Sequence, residues 1–304
     1  MNAGELEFVE WLMRQQRRHP RMPVGIGDDM AVLDSPAACI LFASDMLIDG
    51  VHFDTHRHEL AQIGRKAVAC NLSDCAAMAV RPTAVTVSVA LPDGFALAEA
   101  QKLFQGMRTI ADEFDVAIAG GDTTRWNHPL AIDVAIIAHC HEGIKPVLRS
   151  GARPGDRIYV TGPLGGSLRG RHLTFRPRVE EAGILARTLS DGLHAMIDVS
   201  DGLSLDLWRV CRASGVGALL DERELAVVIS DDAKAAGAEA GRSPLDHALS
   251  DGEDYELLIA ASREPRDLEF PLHAIGRIAE KGAGFGLQRP DGRIEPLEPK
   301  GWVH

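Results

Sequence analysis

Apolar and polar positions alternate in two rhythms along the chain, one of strands and one of helices. Residues 37–43 (Ala-Ala-Cys-Ile-Leu-Phe-Ala), 83–91 (Thr-Ala-Val-Thr-Val-Ser-Val-Ala-Leu) and 130–140 (Leu-Ala-Ile-Asp-Val-Ala-Ile-Ile-Ala-His-Cys) combine β-branched enrichment with alternation, which predicts strands. Between them, 59–80 and 96–114 are long, Ala-rich and free of internal proline, which predicts helices. The first half therefore reads as strands with helices on one face. Residues 141–155 hold two prolines and three glycines without apolar periodicity and mark a boundary between domains 1–145 and 146–304. Beyond it the pattern predicts a strand at 157–161, a helix at 179–190, a strand at 194–199, a helix at 203–213, and strands near 255–261 and 272–278. The tail from Arg289 to His304 is polar and Pro-rich and carries one isolated aromatic, Trp302. The expectation is an α/β protein of two mixed domains.

Composition narrows the function. The 304 residues are 45% hydrophobic and 25% charged, and no segment approaches the roughly 20 apolar residues of a membrane span. The N-terminus, Met-Asn-Ala-Gly-Glu-Leu-Glu, lacks the basic and apolar regions of a secretory signal, so a cytoplasmic protein is expected. The formal charge is −12 and only six residues are lysine, which argues against a broad nucleic-acid surface. A phosphorylated ligand remains compatible with that charge, because divalent cations can stand between it and the carboxylates. The five cysteines, Cys39, Cys70, Cys75, Cys140 and Cys211, show no C-x-x-C pattern and read as reduced, mostly core thiols.

The candidate chemistry lies in the acids. They follow an apolar run or sit beside glycine in Gly25-Ile26-Gly27-Asp28-Asp29, Ala43-Ser44-Asp45, Gly120-Gly121-Asp122-Thr123-Thr124-Arg125 and Ile197-Asp198-Val199-Ser200-Asp201-Gly202, and Asn71-Leu72-Ser73-Asp74 joins them from a helix. One such aspartate alone is ordinarily a turn or helix-cap residue. Several placed alike, at strand ends, would converge, and like charges that close repel unless protonated or bridged by cations. Hard oxygen donors select Mg²⁺ or Ca²⁺ over zinc, and Mg²⁺ is the better match beside phosphate. Neither a P-loop nor a Rossmann glycine pattern is present, so a nucleotide would be held mainly through metal.

These motifs, with Gly50-Val51-His52-Phe53, Arg149-Ser150-Gly151-Ala152 and Gly252-Glu253-Asp254-Tyr255-Glu256-Leu257, resemble thiamine-monophosphate kinases of the aminoimidazole ribonucleotide synthetase superfamily. The likeness runs in order from about residue 4 to Trp302. It implies an N-terminal sheet that pairs with its mate as a homodimer barrel, and a C-terminal α/β sandwich. It implies ATP as co-substrate and several Mg²⁺ ions held by Asp29, Ser44, Asp45, Asp74, Asp122, Asp198 and Asp201, with Asp28 capping the turn. Gly121, Asp122, Arg149 and Ser200 would face ATP, while His52, Glu253 and Trp302 would contact thiamine monophosphate. Asp45, Asp74 and Asp122 would be the catalytic set for in-line transfer of the γ-phosphoryl group, giving thiamine diphosphate and ADP. Lys66 and Arg65 read as solvated or structural, and Arg125 as support for the Asp122 loop. The chain departs from the family pattern at Ala43, where a hydroxyl residue is usual, and at Asp251, where glycine is usual. The stretch from Gly162 to Arg178 is also shorter than the family pattern, by an extra helical segment that is usual there. Another superfamily enzyme with a different acceptor, or a silent nucleotide-binding paralogue, are the alternatives.

Overall fold

The computed structural model describes residues 23–24, 27–34 and 39–302. Gly25 and Ile26 of the first acidic motif, the first 22 residues, the opening of the strand expected at 37–43, and Val303 and His304 lie outside the described residues.

Strands Ala31–Asp34 (β1) and Cys39–Ile48 (β2) lead into helix Leu60–Ala77 (α1), strand Val80–Pro92 (β3), helix Leu97–Glu113 (α2), and strands Ala117–Trp126 (β4) and Ala131–Cys140 (β5). They form one sheet in the order β1-β2-β5-β3-β4. Helix α2 joins the parallel pair β3 and β4, and the other neighbours run antiparallel. The two-residue period of the strands puts Leu41 and Leu47 of β2, Val85 and Val87 of β3, and Ile132, Val134 and Ile136 of β5 on the face covered by α1 and α2. The helices meet backbone to backbone. A Cβ at Gly64 would stand 2.0 Å from the Leu103 carbonyl oxygen, and one at Gly106 1.8 Å from that of Ala61. The opposite sheet face carries Phe42, Met46 and Ile137, 43%, 57% and 45% exposed.

The second unit contains Arg157–Val160 (β6), Arg171–Thr174 (α3), Val179–Leu189 (α4), Leu193–Asp198 (β7), Leu203–Ser214 (α5), Gly217–Asp221 (β8), Glu222–Val228 (α6), Asp231–Ala240 (α7), Pro244–Ser250 (α8), Leu257–Ala261 (β9), His273–Ala279 (β10), Phe285–Gln288 (β11) and Ile294–Pro296 (β12). Its seven strands are ordered β12-β11-β8-β10-β6-β9-β7. A smaller cluster joins the units: Ala76 of α1 and Ala79 after it pack with Leu185 and Leu189 of α4, Met196 of β7 and Ile259 of β9. Among the described residues no helix is long and apolar enough to cross a membrane.

Three elements differ from the sequence reading. β2 runs through Ile48, so Ser44 and Asp45 lie inside a strand and not at its end, because Met46-Leu47-Ile48 continues the pairing with β5. β4 is a ten-residue strand where glycines and hydroxyls suggested a loop, and pairing with β3 overrides that local preference. The tail likewise contributes β12, paired with β11. The mixed α/β character and helices on one face of the first sheet stand as expected. All five cysteines are free, with Cys70, Cys75 and Cys211 buried and Cys39 and Cys140 half-buried.

Candidate active site

Asp29 before β1, Asp74 near the end of α1 and Asp198 at the end of β7 bring carboxylate oxygens within 4.8 Å of one another. Each is fixed by its neighbours. The Ser73 hydroxyl donates to Asp198 Oδ2 at 2.6 Å, tying α1 to β7 across the domain boundary. Asp28 accepts the Asp29 amide at 3.0 Å and the Arg149 amide at 3.2 Å, so it caps the turn. The Arg149 guanidinium then forks onto both oxygens of Asp29, Nε at 2.9 Å and Nη2 at 2.8 Å.

Asp45 approaches this group from the covered face of β2. Burial, then Asp133, Asp29 and Asp201, pushes its pKa up to about 6. Burial and neighbouring carboxylates, led by Asp45 for Asp74 and by Asp29 for Asp198, hold those two well above the ordinary carboxylate range. The loop after β7 adds Ser200 and Asp201. Arg209 pairs with Asp201 and, at 2.7 Å, with Asp206, whose Oδ2 accepts the amides of Asp201 and Gly202 at 3.1 and 3.0 Å.

Hard oxygen donors crowded beyond what one proton each would favour fit Mg²⁺. The crowding has a signed consequence. A carboxyl whose folded pKa exceeds its unfolded value of 3.8 contributes stability below that value and loses it as pH rises through the folded one, about 6 for Asp45. The melting temperature of metal-free protein should therefore carry a downward slope from about pH 4 to 6 that is shallower in Asp45→Asn. Equal slopes in the two proteins would remove Asp45 from the crowded set.

A cavity of about 160 Å³ opens beside the cluster, with Asp45, Asp74, Asp198 and Asp201 on one side. His52, Glu253 and Trp302 line the other. His52 Nδ1 accepts the Ile48 amide at 3.0 Å, which leaves Nε2 as the protonated nitrogen of the neutral ring. Glu253 sits at φ 53° and Tyr255 at φ 53°, a left-handed pair held by the Ser200 and Val199 carbonyls at 2.6 and 2.8 Å. Trp302 reaches the cavity because its amide donates to the Asp201 carbonyl at 2.8 Å and Gly301 leaves no room for a Cβ, which would lie 2.4 Å from that oxygen.

The sequence reading of Lys66 as solvated or structural is corrected in one respect: the side chain is fully buried in this cavity and donates to the His52 carbonyl at 2.6 Å and both Glu253 oxygens at 2.7 Å. The signal was available, because Lys66, Cys70 and Asp74 are spaced four apart and share one face of α1. Asp206, Arg209 and Asp133 were also missed, and no motif pointed to them.

Three other expected residues stand apart. Ser44 alternates to the exposed sheet face, away from Asp45. Gly121 shares a cross-sheet row with Val87, Val134 and Asp45, three strand spacings or about 14 Å away. Asp122 is exposed on edge strand β4 opposite Ser88. Gly121 and Asp122 instead line a separate cavity of about 400 Å³ walled by Val87, Val89, Leu103 and Phe104. Arg125 donates to the Phe95 carbonyl at 3.0 Å, fastening the far end of β4.

Two departures from the family pattern touch one another. The shortened stretch folds as a turn, Ser167–Arg169, followed by α3. Asp251 accepts its Gly166 amide at 3.0 Å, and Asp254 accepts Gly165 and Arg171. The Ser167 hydroxyl donates to the Glu253 carbonyl at 2.6 Å, so the short loop still braces the strained turn.

Residues 27–140 match the AIR synthase related protein, N-terminal domain, and 153–283 match its C-terminal domain. A thiamine-monophosphate kinase of Rhodopirellula baltica is 40% identical over 99% of this chain and 97% of its own length. That of Escherichia coli is 33% identical over 100% and 99%. The structure of AaThiL complexed with AMPPCP and TMP aligns with a TM-score of 0.85 and 26% identity, covering 99% of this chain and 97% of the other. The chain belongs to the thiamine-monophosphate kinase family and is built from one AIR synthase related domain in each half.

Proposed function

We propose that the protein transfers the γ-phosphoryl group of ATP to thiamine monophosphate, giving thiamine diphosphate and ADP, in the cytoplasm. The observation that carries the reading is the convergence of Asp29, Asp74 and Asp198 beside a cavity with Glu253 and Trp302, in a chain akin to these kinases over its whole length. The acceptor phosphate is deprotonated near neutral pH and needs no strong base, so the chain's task is to align two polyanions.

The acceptor's heterocycle enters the 160 Å³ cavity, where Trp302 offers a stacking face, Glu253 an anion for the ring's positive charge and His52 Nε2 a donor. Mg²⁺ ions held by Asp29, Asp45, Asp74 and Asp198, with Asp201 at the edge, would supply positive charge against both phosphate groups. ATP lays its base in the apolar cavity beside Phe104 and Gly121 and its phosphates toward Asp45, a span comparable to an extended nucleoside triphosphate. Arg149 exchanges its Asp29 partner for phosphate, with Ser200 nearby. Ser44 and Asp122, on the exposed face and edge, complete the site only when a second copy covers that face, and the exposed apolar row Phe42, Met46 and Ile137 favours such a homodimer.

Incubation with ATP, Mg²⁺ and thiamine monophosphate, followed by chromatography of both products, should give thiamine diphosphate and ADP in equal amounts. ATP binding with neither product across Mg²⁺ and monovalent salt concentrations would reject the kinase reading for this chain.

A further inference from the structure

Lys66 projects from α1 of the first domain and is fully buried. Its ammonium has three protons and meets three acceptors, the His52 carbonyl at 2.6 Å and the two Glu253 oxygens at 2.7 Å. One acceptor belongs to the first domain and two to the second. The Glu253 backbone is held left-handed at φ 53°, and its carboxylate is fixed by the two Lys66 bonds. Lys66 also lies two helical turns, about 12 Å, from Asp74 on the same face of a rigid helix. The helix thus carries an acid of the clustered carboxylates and, two turns before it, the ammonium that holds Glu253.

We propose that Lys66 is the positioning residue for the acceptor: it locks Glu253 and the His52 loop to α1 and so fixes where the cationic heterocycle sits relative to the phosphates. The inference rests on the reading of Glu253 and His52 as contacts to the acceptor. All three donors of Lys66 are engaged, so it acts through Glu253 and His52 and does not itself contact phosphate.

The experiment compares Lys66→Met, Lys66→Arg, Glu253→Gln and the double variant Lys66→Met/Glu253→Gln in steady-state kinetics with each substrate varied. Lys66→Met should raise KM for thiamine monophosphate about tenfold or more, with kcat and KM for ATP changing less than about threefold. Lys66→Arg, which keeps charge and donors, should recover most of that loss. The double variant should fall well short of the sum of the two single effects, because both changes cut the Glu253 path and only the part carried by the His52 loop is added. It also removes both charges together, so it folds where the single Lys66→Met leaves a buried acid without its ammonium. Uniform loss in kcat and both KM values in Lys66→Met, or a double variant whose effects add, would overturn the proposal while Glu253→Gln still shows its own defect. An unchanged KM for thiamine monophosphate in Glu253→Gln overturns the acceptor-site reading and this inference with it.

Discussion

Asp74→Asn is expected to lower turnover about a thousandfold or more while raising the melting temperature of the metal-free protein. The two effects share one cause. Burial first, then Asp45, Asp198 and Asp29, disfavours charge on Asp74 in the absence of cations. An isosteric amide removes that repulsion and keeps the helix intact, so the apo protein gains stability. On the proposed metal set the same change would delete a hard anionic ligand, and with it the stabilisation that added Mg²⁺ should give wild type. Thermal melts with and without Mg²⁺, paired with initial rates, check both halves. An Asp74→Asn protein that is active, or that still gains stability from Mg²⁺ as wild type does, would remove Asp74 from the metal set.

The second large effect is expected at Arg149. Its fork to Asp29 is mostly buried, with side chains 21% and 2% exposed, and the attraction of Asp29 and Asp28 outweighs the burial that opposes the charge. Arg149→Met strands Asp29 among like charges, and urea unfolding of the metal-free variant should show a loss of about 3 kcal/mol. Mg²⁺ should restore much of it, because a cation can replace the guanidinium charge. It should not restore nucleotide affinity, and KM for ATP should rise about a hundredfold. Arg149→Lys separates charge from fork: stability recovers in part, while KM for ATP stays high. If Arg149→Met binds ATP normally, Arg149 serves only the folded state.

The sequence made the periodic elements readable wherever side chains alternate against one core. β3, β5, α1 and α2 all lie within a few residues of their expected places. β4 was not readable, because Gly120-Gly121-Asp122-Thr123-Thr124 has the local chemistry of a turn and becomes a strand only through β3. The acids of the site were legible as motifs, yet their grouping was not. Whether Asp45 and Ser44 share a face depends on β2 continuing to Ile48, and adjacent residues inside a strand point opposite ways. Reading Lys66 as solvated or structural left it outside the site, although its four-residue spacing to Cys70 and Asp74 lay in plain view. What the sequence withheld was its partner, 187 positions away.

Helix α1 belongs to two cores at once, through Ile63, Val68 and Leu72 in the first-domain core and Ala76, near its C-terminal end, in the cluster between the domains. The amides near its C-terminal end are therefore expected to exchange with solvent only when both cores open, as part of the last cooperative unit to unfold. Asp74 rides on that unit. A cation held there, as proposed above, would oppose that opening, so metal supply would set how long the folded protein survives as well as how fast it works.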